Sequence, residues 1–579
     1  MSVFDNDPSL PSLPVPDLGE TCAVLKQTVN PLLTPEVREK TFAAIDRFSV
    51  EGEALQKLLT GRKNAMAHNE SWLRQYWDDV TLAYRESLPV NMNYCFELDI
   101  SALGDGALPK LISSVCARLT ELRYETLPPE TTKTGYFSMD TLRSLIYTRI
   151  PCASRDVLYN PPLTAPETVS VLCKGHCFIM TVVNEKGELL APPAIAEALI
   201  EIRRLAEDSG EAPPVGALTA AGREEAADAR ALLQQSIVNR MSSESLEKTV
   251  FTVCLDDEPP TGETFGRTLI GGDCANRWFD KSLQIIATPG GKIGVNIEHA
   301  GCDAGIWIHL LGRAFGAVRA GDLPDGKGKT HIRAAERDIS PKIAELLRDM
   351  KKTFESAVKS MTIGQRKITD ASRELIKSKK CSPDAFAQLL YQTAYYKEKK
   401  CFRSVYESVS ARAFYQGRTE NFRPVTDESA AFVKALAEGK DGNDLLSEKF
   451  RAAEKAHLAG LERRQKALGP ERHLTGLQLM YTMYANAPKG KNLIKPEIFE
   501  DEGYGILRHD AMSTSNITAD CVDFFGFPPV VEEGLGIGYC TKADALHLLV
   551  TSYDKSGIPA ERFLDNVGEA AAKIMKILG

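Results

Sequence analysis

The segment Glu298-His299-Ala300-Gly301-Cys302-Asp303 holds residue types that can move a proton. An imidazole of near-neutral pKa can draw a proton from a hydroxyl or thiol, and a carboxylate can fix its orientation. If the chain turns into helix here, residues four apart share a face and Asp303 comes within reach of His299. A lone His beside an Asp more often serves structure. Arg373 and Lys377 share a predicted helical face just before Ser382-Pro383-Asp384 and could hold a phosphate. The same cations, with Lys379 and Lys380, also read as a solvated helix C-terminus. The row Met512-Ser513-Thr514-Ser515 offers hydroxyl donors to a developing oxyanion, although such rows commonly cap helices or line turns. Tyr406-Glu407-Ser408, Gly417-Arg418-Thr419-Glu420 and Arg472-His473-Leu474 are polar islands between apolar runs. Cys173, His176 and Cys177 are the nearest approach to a metal cluster, but they lie in a strand-like apolar run without a second ligand pair and read as core.

The elements that must position these groups are signalled locally. Thr34-Pro35-Glu36, Ser340-Pro341 and Ser382-Pro383-Asp384 each place an N-capping hydroxyl before a proline at the first helical position. A C-terminal helix is predicted from Pro559. SLQIIAT, Pro289-Gly290-Gly291 and KIGVNIEH predict a β-hairpin with Ile293, Val295 and Ile297 on one face, ending at the His299 segment. LHLLVTSY reads as a buried strand, the Pro-rich first 20 residues as extended, and 321–330 as a linker. A strand end followed by a helix start is where function tends to sit in α/β proteins. Strands and helices alternate without a strict βαβ period, which predicts a mixed α/β protein of more than one domain.

The chain has 579 residues, 26% charged and 43% hydrophobic, an ordinary globular composition. Its 70 Lys and Arg against 78 Asp and Glu give a net charge of −8, which argues against nucleic acid as the main partner. No uninterrupted apolar run reaches about 18 residues, so no transmembrane segment is expected. The N-terminus lacks secretory and transit features, and thirteen scattered Cys suit a reducing compartment. The expected location is cytoplasmic, with the mitochondrial or peroxisomal matrix left open. An acidic surface poor in patches is consistent with a monomer.

In combination, these segments resemble the carnitine/choline acyltransferase family. The likeness runs in order through LPSLPVPDLGETCAVLKQTVNPLL (10–33), PPVGALT (213–219), NRWFDKSLQII (276–286), EHAGCDA (298–304), SPDAFAQ (382–388), VYESVSARAFYQGRTENFR (405–423) and MSTSN (512–516). The resemblance implies two domains of related mixed-sheet, chloramphenicol acetyltransferase-like architecture, enclosing an active-site tunnel. One domain would span 91–340. The other would join 1–90 to 341–579. The implied activity is reversible acyl transfer between coenzyme A and a hydroxylated quaternary amine, with coenzyme A as co-substrate and no tightly bound cofactor or metal. Both substrates are small molecules bound together, so no acyl-enzyme is expected.

By the same likeness, His299 is the general base, Asp303 its orienter and Ser515 the oxyanion donor. Arg373, Lys377, Asp384, Glu407 and Ser408 stand at coenzyme A positions, with Arg373 where Lys is usual. Tyr406, Thr419 and Arg472 match the partners of a carnitine carboxylate; choline, which carries none, is the alternative acceptor. Phe525 stands where short-chain enzymes block the acyl pocket, which implies acetyl transfer. Gly526 and Phe527 look more like the long-chain pattern, and Pro528 and Leu535 fit neither. Asn516 replaces an expected Gln, and Cys302 is a thiol inside the histidine motif. The two N-terminal hydrophobic spans of outer-mitochondrial-membrane members are not present. Medium- or long-chain transfer and a catalytically silent acyl-CoA-binding protein are the other readings.

Overall fold

A computed structural model describes residues 2–67, 69–132, 135–162, 167–260, 264–485, 487 and 493–579. Two large mixed sheets carry the architecture. The larger runs Val522–Gly526, Tyr94–Leu98, Ile293–Ile297, Leu283–Ala287, Thr252–Leu255, Thr168–Cys173, His176–Thr181, Ile332–Ala334. The second runs Met361–Ile368, Leu546–Tyr553, Leu535–Thr541, Met512–Asn516, Val405–Ser410, Thr419–Phe422. Three of its inner strands, Val405–Ser410, Met512–Asn516 and Leu535–Thr541, are parallel, and their helix-facing side joins apolar Val405, Met512, Leu535 and Ile537 to the polar Glu407, Thr514 and Tyr539.

The local signals give these elements directly. Thr34, Ser340 and Ser382 each accept the backbone N–H three residues on, opening helices Pro35–Glu51, Pro341–Lys359 and Pro383–Lys399. The last helix is Ala560–Ile577. Leu283–Ala287 and Ile293–Ile297 form the predicted hairpin, with Val295, Ile297 and Ile293 buried. Residues 321–331 make a loop tied down by the bridge between Leu190 and Gly326 and by hydrogen bonds from Asn184 to Lys327 and between Thr181 and His331. Cys173 and Cys177 sit at a tight hairpin turn with both thiols buried, and burial raises each to about 11. All thirteen cysteines are free.

Four apolar clusters fill the space between layers. One packs the helices Ala107–Arg123 and Ala304–Ala320 on the larger sheet. A second lies between the smaller sheet and the helices Pro383–Lys399 and Ala560–Ile577. The N-terminal helices close against Pro470–Tyr484 in a separate core around Trp72. The division expected at residue 340 is crossed by one strand. Val522–Gly526 comes from the C-terminal half, yet it pairs antiparallel with Tyr94–Leu98 at the edge of the larger sheet. Gly538 permits this crossing: a Cβ there would stand 2.0 Å from the carbonyl oxygen of Phe525. Among the described residues, no helix is long and apolar enough to cross a membrane.

Candidate active site

His299 stands two residues past the end of the strand Ile293–Ile297, after Glu298, and the next helix begins only at Ala304. Residues 299–303 therefore form a non-helical connection, and the helical-face argument for an Asp303–His299 pair does not apply. The imidazole Nδ1 instead lies 3.2 Å from the carbonyl oxygen of Cys302. A carbonyl only accepts, so Nδ1 carries the proton and Nε2 keeps the free lone pair. Asp303 is turned to Arg418, whose Nε and Nη2 donate to its two oxygens at 3.1 and 3.0 Å. Burial would raise the Asp303 carboxyl, but the Arg418 guanidinium overrides it and holds the group below the usual carboxylate range. Burial also lowers the His299 imidazole from its ordinary 6.5; Asp303 pulls it up and Arg418 pushes it down. The result is a neutral imidazole with an available nitrogen at neutral pH.

The connection itself is clamped from both sides. Arg418 Nη1 donates to the carbonyl of Ala300 at 2.8 Å and Nη2 to that of His299 at 3.3 Å. Below, the fully buried Glu298 accepts from Arg149 at 2.9 Å, from Tyr147 at 2.5 Å and from the Ala300 N–H at 2.9 Å. Tyr147 in turn accepts the Gly301 N–H at 3.0 Å. A Cβ on Gly301 would stand 2.3 Å from the Tyr147 ring, so only glycine fits this close approach. Arg149 continues into a buried charge chain through Asp156, Arg223 and Asp280. The ring of His299 lies edge-on to Tyr94, centroids 4.9 Å apart. Its position is thus set by its own connection and by hydrogen bonds and packing from three other segments, those of Tyr94, Tyr147 and Arg418.

A cavity of about 460 Å³ opens beside His299. Ser408, Ser513, Thr514 and Ser515 line one wall, and the Oγ atoms of Ser408 and Ser515 are 3.2 Å apart. Tyr406, Thr419 and Arg472 line another part, with Arg472 bonded to the Thr419 carbonyl at 3.2 Å and hydroxyl at 3.4 Å. The Arg472 guanidinium stacks on Trp77 at 4.2 Å, and Arg418 stacks on the same ring at 4.8 Å. Phe525, Phe527 and Pro528 close the apolar side, Phe525 packing against Tyr94, Phe96 and Phe527. One space therefore holds a proton acceptor, hydroxyl donors, a fixed cation and an apolar end, the parts needed to move an acyl group onto a hydroxyl.

A family model described as Choline/Carnitine o-acyltransferase matches residues 13–569. This chain belongs to that family. The acyltransferase moves an acyl group between coenzyme A and a hydroxyl. It is 30% identical to choline O-acetyltransferase of Mus musculus over 94% of this chain and 88% of that one. Carnitine O-acetyltransferase of Mus musculus is 29% identical, covering 94% and 90%, and the mitochondrial carnitine O-palmitoyltransferase 2 of Mus musculus 28%, covering 96% and 90%. Among solved structures, TRI3 trichothecene 15-O-acetyltransferase from Fusarium sporotrichioides matches with a TM-score of 0.34 and 14% identity, over 59% of this chain and 79% of that one.

The acyltransferase keeps some sequence-predicted residues outside the cavity wall. Arg373 and Lys377 lie on the short helix Arg373–Ser378, half-buried and exposed respectively. The Arg373 N–H bonds to the carbonyl of Lys542, just past the strand Leu535–Thr541, so this basic helix stands at the Ser515 end of the second sheet. Glu407 is set apart. Alternation along Val405–Ser410 turns Tyr406 and Ser408 to the cavity and Glu407 to the opposite face, where it is buried among Tyr539, Gln388 and Asp384. Glu407, expected at a coenzyme A position, thus lies off the cavity wall. Asp384 is partly exposed and bonded to His457 at 2.8 Å and Tyr539 at 2.8 Å. Cys302 is fully buried with its thiol pushed well up, which leaves it no role as a reactive thiolate.

Sequence reasoning missed Arg418, Tyr147, Arg149 and Trp77 as parts of the site. Arg418 lay inside a segment already singled out, and its neighbour Thr419 was assigned a role. Nothing local marks the other three.

Proposed function

We propose that the enzyme transfers a short acyl chain, acetyl above all, between coenzyme A and the hydroxyl of carnitine. His299 Nε2 takes the proton of the hydroxyl as its oxygen attacks the thioester carbonyl. The tetrahedral oxyanion accepts a hydrogen bond from the Ser515 hydroxyl. Collapse expels the coenzyme A thiolate, which takes the proton back from His299; the reverse reaction exchanges the two roles. Both substrates sit on the enzyme at once, so no acyl-enzyme is needed. Asp303 and Arg418 act through the backbone that holds His299, and Arg373, Lys377, Asp384 and Ser408 lie toward the coenzyme A end.

The observation that carries the choice of acceptor is Arg472, a cation fixed by Thr419 and Trp77 in the same cavity as His299. Its guanidinium suits a carboxylate, with the Tyr406 and Thr419 hydroxyls as further donors. Choline is the second reading, supported by Asp510, a carboxylate lining the same cavity that could face a cation without a carboxylate. Arg423, itself paired with Glu471, already binds Asp510, which weakens that support. Release of free thiol from acetyl-CoA, followed with L-carnitine and with choline, separates the two. Arg472→Asn is expected to raise KM for carnitine about 100-fold and leave choline turnover unreduced. Equal loss with both acceptors would remove the carboxylate assignment.

The short-chain preference rests on Phe525, whose ring closes the apolar end of the cavity between Tyr94 and Phe527. Phe525→Gly removes that ring and opens space beside the reacting carbon. The ratio of octanoyl to acetyl turnover is expected to rise about tenfold or more. A series of acyl-CoA donors measures it. Strong palmitoyl turnover by the unaltered enzyme would contradict the preference.

A further inference from the structure

Behind the hydroxyl row lies a largely buried group that takes no part in the proton transfer at His299: Glu407, Tyr539, Asp384 and His457. The Tyr539 hydroxyl contacts both Glu407 Oε1 and Asp384 Oδ1, the latter at 2.8 Å. A phenol has one proton, and two carboxylate oxygens cannot both receive it. Either a second proton or a cation must lie in the group.

The spacing decides between them. The ligand atoms of Asp384, Glu407 and His457 lie within 4.8 Å of one another, close enough to suggest a metal. However, His457 Nε2 and Asp384 Oδ2 are only 2.8 Å apart. Two ligands at about 2.1 Å in tetrahedral geometry stand roughly 3.4 Å apart, so this is hydrogen-bond spacing. The second proton must then sit on a carboxyl. Asp384 has the His457 N–H, the Asn516 amide and partial exposure to support its charge. Glu407 is 3% exposed, and its Oε2 has no hydrogen-bond partner. An ionised Glu407 would leave a buried carboxylate oxygen without a donor.

We propose that Glu407 is a neutral carboxylic acid, donating through Oε1 to the Tyr539 oxygen, which donates to an ionised Asp384 held by His457, and that this relay positions the strands bearing Ser408 and Ser515. Burial and the nearby Asp384 both push the Glu407 carboxyl well above its ordinary 4.5. Among the described residues, the groups around it supply no compensating Lys or Arg. Helix Pro383–Lys399 contributes Asp384, Gln388 and Tyr391; Leu535–Thr541 contributes Tyr539 and Cys540; and Asn443–Gln465 contributes His457. Arg451, earlier on that last helix, is taken by Glu454 and by the carbonyls of Lys379 and Lys380.

The relay reaches the site through the sheet. Tyr539 pairs with Asn516 and its neighbour Gly538 with Ser515; Ser408 follows Glu407 on its own strand. Gln388 Nε2 ties the group to Thr514 Oγ1 at 2.9 Å. Ionising Glu407 would set two carboxylates against each other directly beneath Ser408 and Ser515. The positioning role rests on the reading of Ser515 as oxyanion donor; the protonation does not.

Infrared difference spectroscopy of the full-length enzyme against Glu407→Gln tests the protonation. At neutral pH the unaltered protein should show the carbonyl stretch of a protonated carboxylic acid, shifted in D2O and missing from the variant. Its absence, or its survival in Glu407→Gln, overturns the proposal, as does a stoichiometric divalent metal by elemental analysis. Positioning is read in turnover. Glu407→Ala and Tyr539→Phe should each lower kcat about tenfold with acceptor KM unchanged, and Glu407→Gln, which can still donate, should restore kcat to within about twofold. Equal loss in the Gln and Ala variants overturns the relay's part in catalysis. No turnover with any acceptor would sink the functional reading instead, and the infrared band would still decide the proton.

Discussion

Replacement of His299 by alanine is expected to lower kcat by about 100- to 10,000-fold while leaving the fold intact. The imidazole is the proton acceptor in the cavity whose lone pair is directed by the structure, because Nδ1 is committed to the Cys302 carbonyl. Its removal costs the ring contact with Tyr94 and the hydrogen bond to the Cys302 carbonyl, and no ion pair. The same group sets the pH dependence. Burial lowers the imidazole from 6.5, so the base is already neutral at pH 7 and becomes protonated only in mild acid. kcat/KM for the acceptor should be flat through neutrality and fall on the acid side, with its inflection below 6.5. Thiol release measured between about pH 5 and 8 checks both statements. An inflection above 6.5 would mean that the proton acceptor is some other group, and a His299→Ala enzyme with ordinary turnover would dismiss the mechanism.

Ser515→Ala is expected to reduce kcat by about 100- to 1,000-fold with little change in KM, because the lost hydrogen bond forms only as charge develops on the carbonyl oxygen. Ser408 is 3.2 Å away and lines the same wall, so it offers the residual donor. Ser408→Ala alone should therefore cost much less, and the double variant more than either. Single-turnover rates with acetyl-CoA isolate the chemical step. A Ser515→Ala loss no greater than that of Ser408→Ala would reassign the donor.

Much of the local structure was legible in the sequence because its causes are local. A capping hydroxyl followed by proline announces a helix start wherever it occurs, and Thr34, Ser340 and Ser382 each do so. The Pro289-Gly290-Gly291 turn likewise fixed the hairpin that delivers His299. The helical-face argument for Asp303 did not hold, because spacing speaks for contact only when the intervening chain is helical, and here it is not. What holds the loop is Arg418, more than a hundred residues away, and no periodicity encodes such a contact. For a different reason, the side of the sheet to which Glu407 turns was not read. Its motif was read as a string, whereas a strand sends neighbours to opposite faces, and the roles of Tyr406 and Ser408 already implied that Glu407 points away.

The strand Val522–Gly526 has a consequence for biosynthesis. Tyr94–Leu98 is the edge of its sheet until this partner arrives, and the partner is encoded more than 400 residues later. At roughly 5–20 residues per second, a ribosome needs some tens of seconds to supply it. Throughout that interval the nascent N-terminal half presents an open row of amides and carbonyls, with the apolar face of Phe96 uncovered by Phe525. A chaperone that shields extended backbone would be needed most during this window, and truncation before residue 522 should yield aggregate rather than a separable domain.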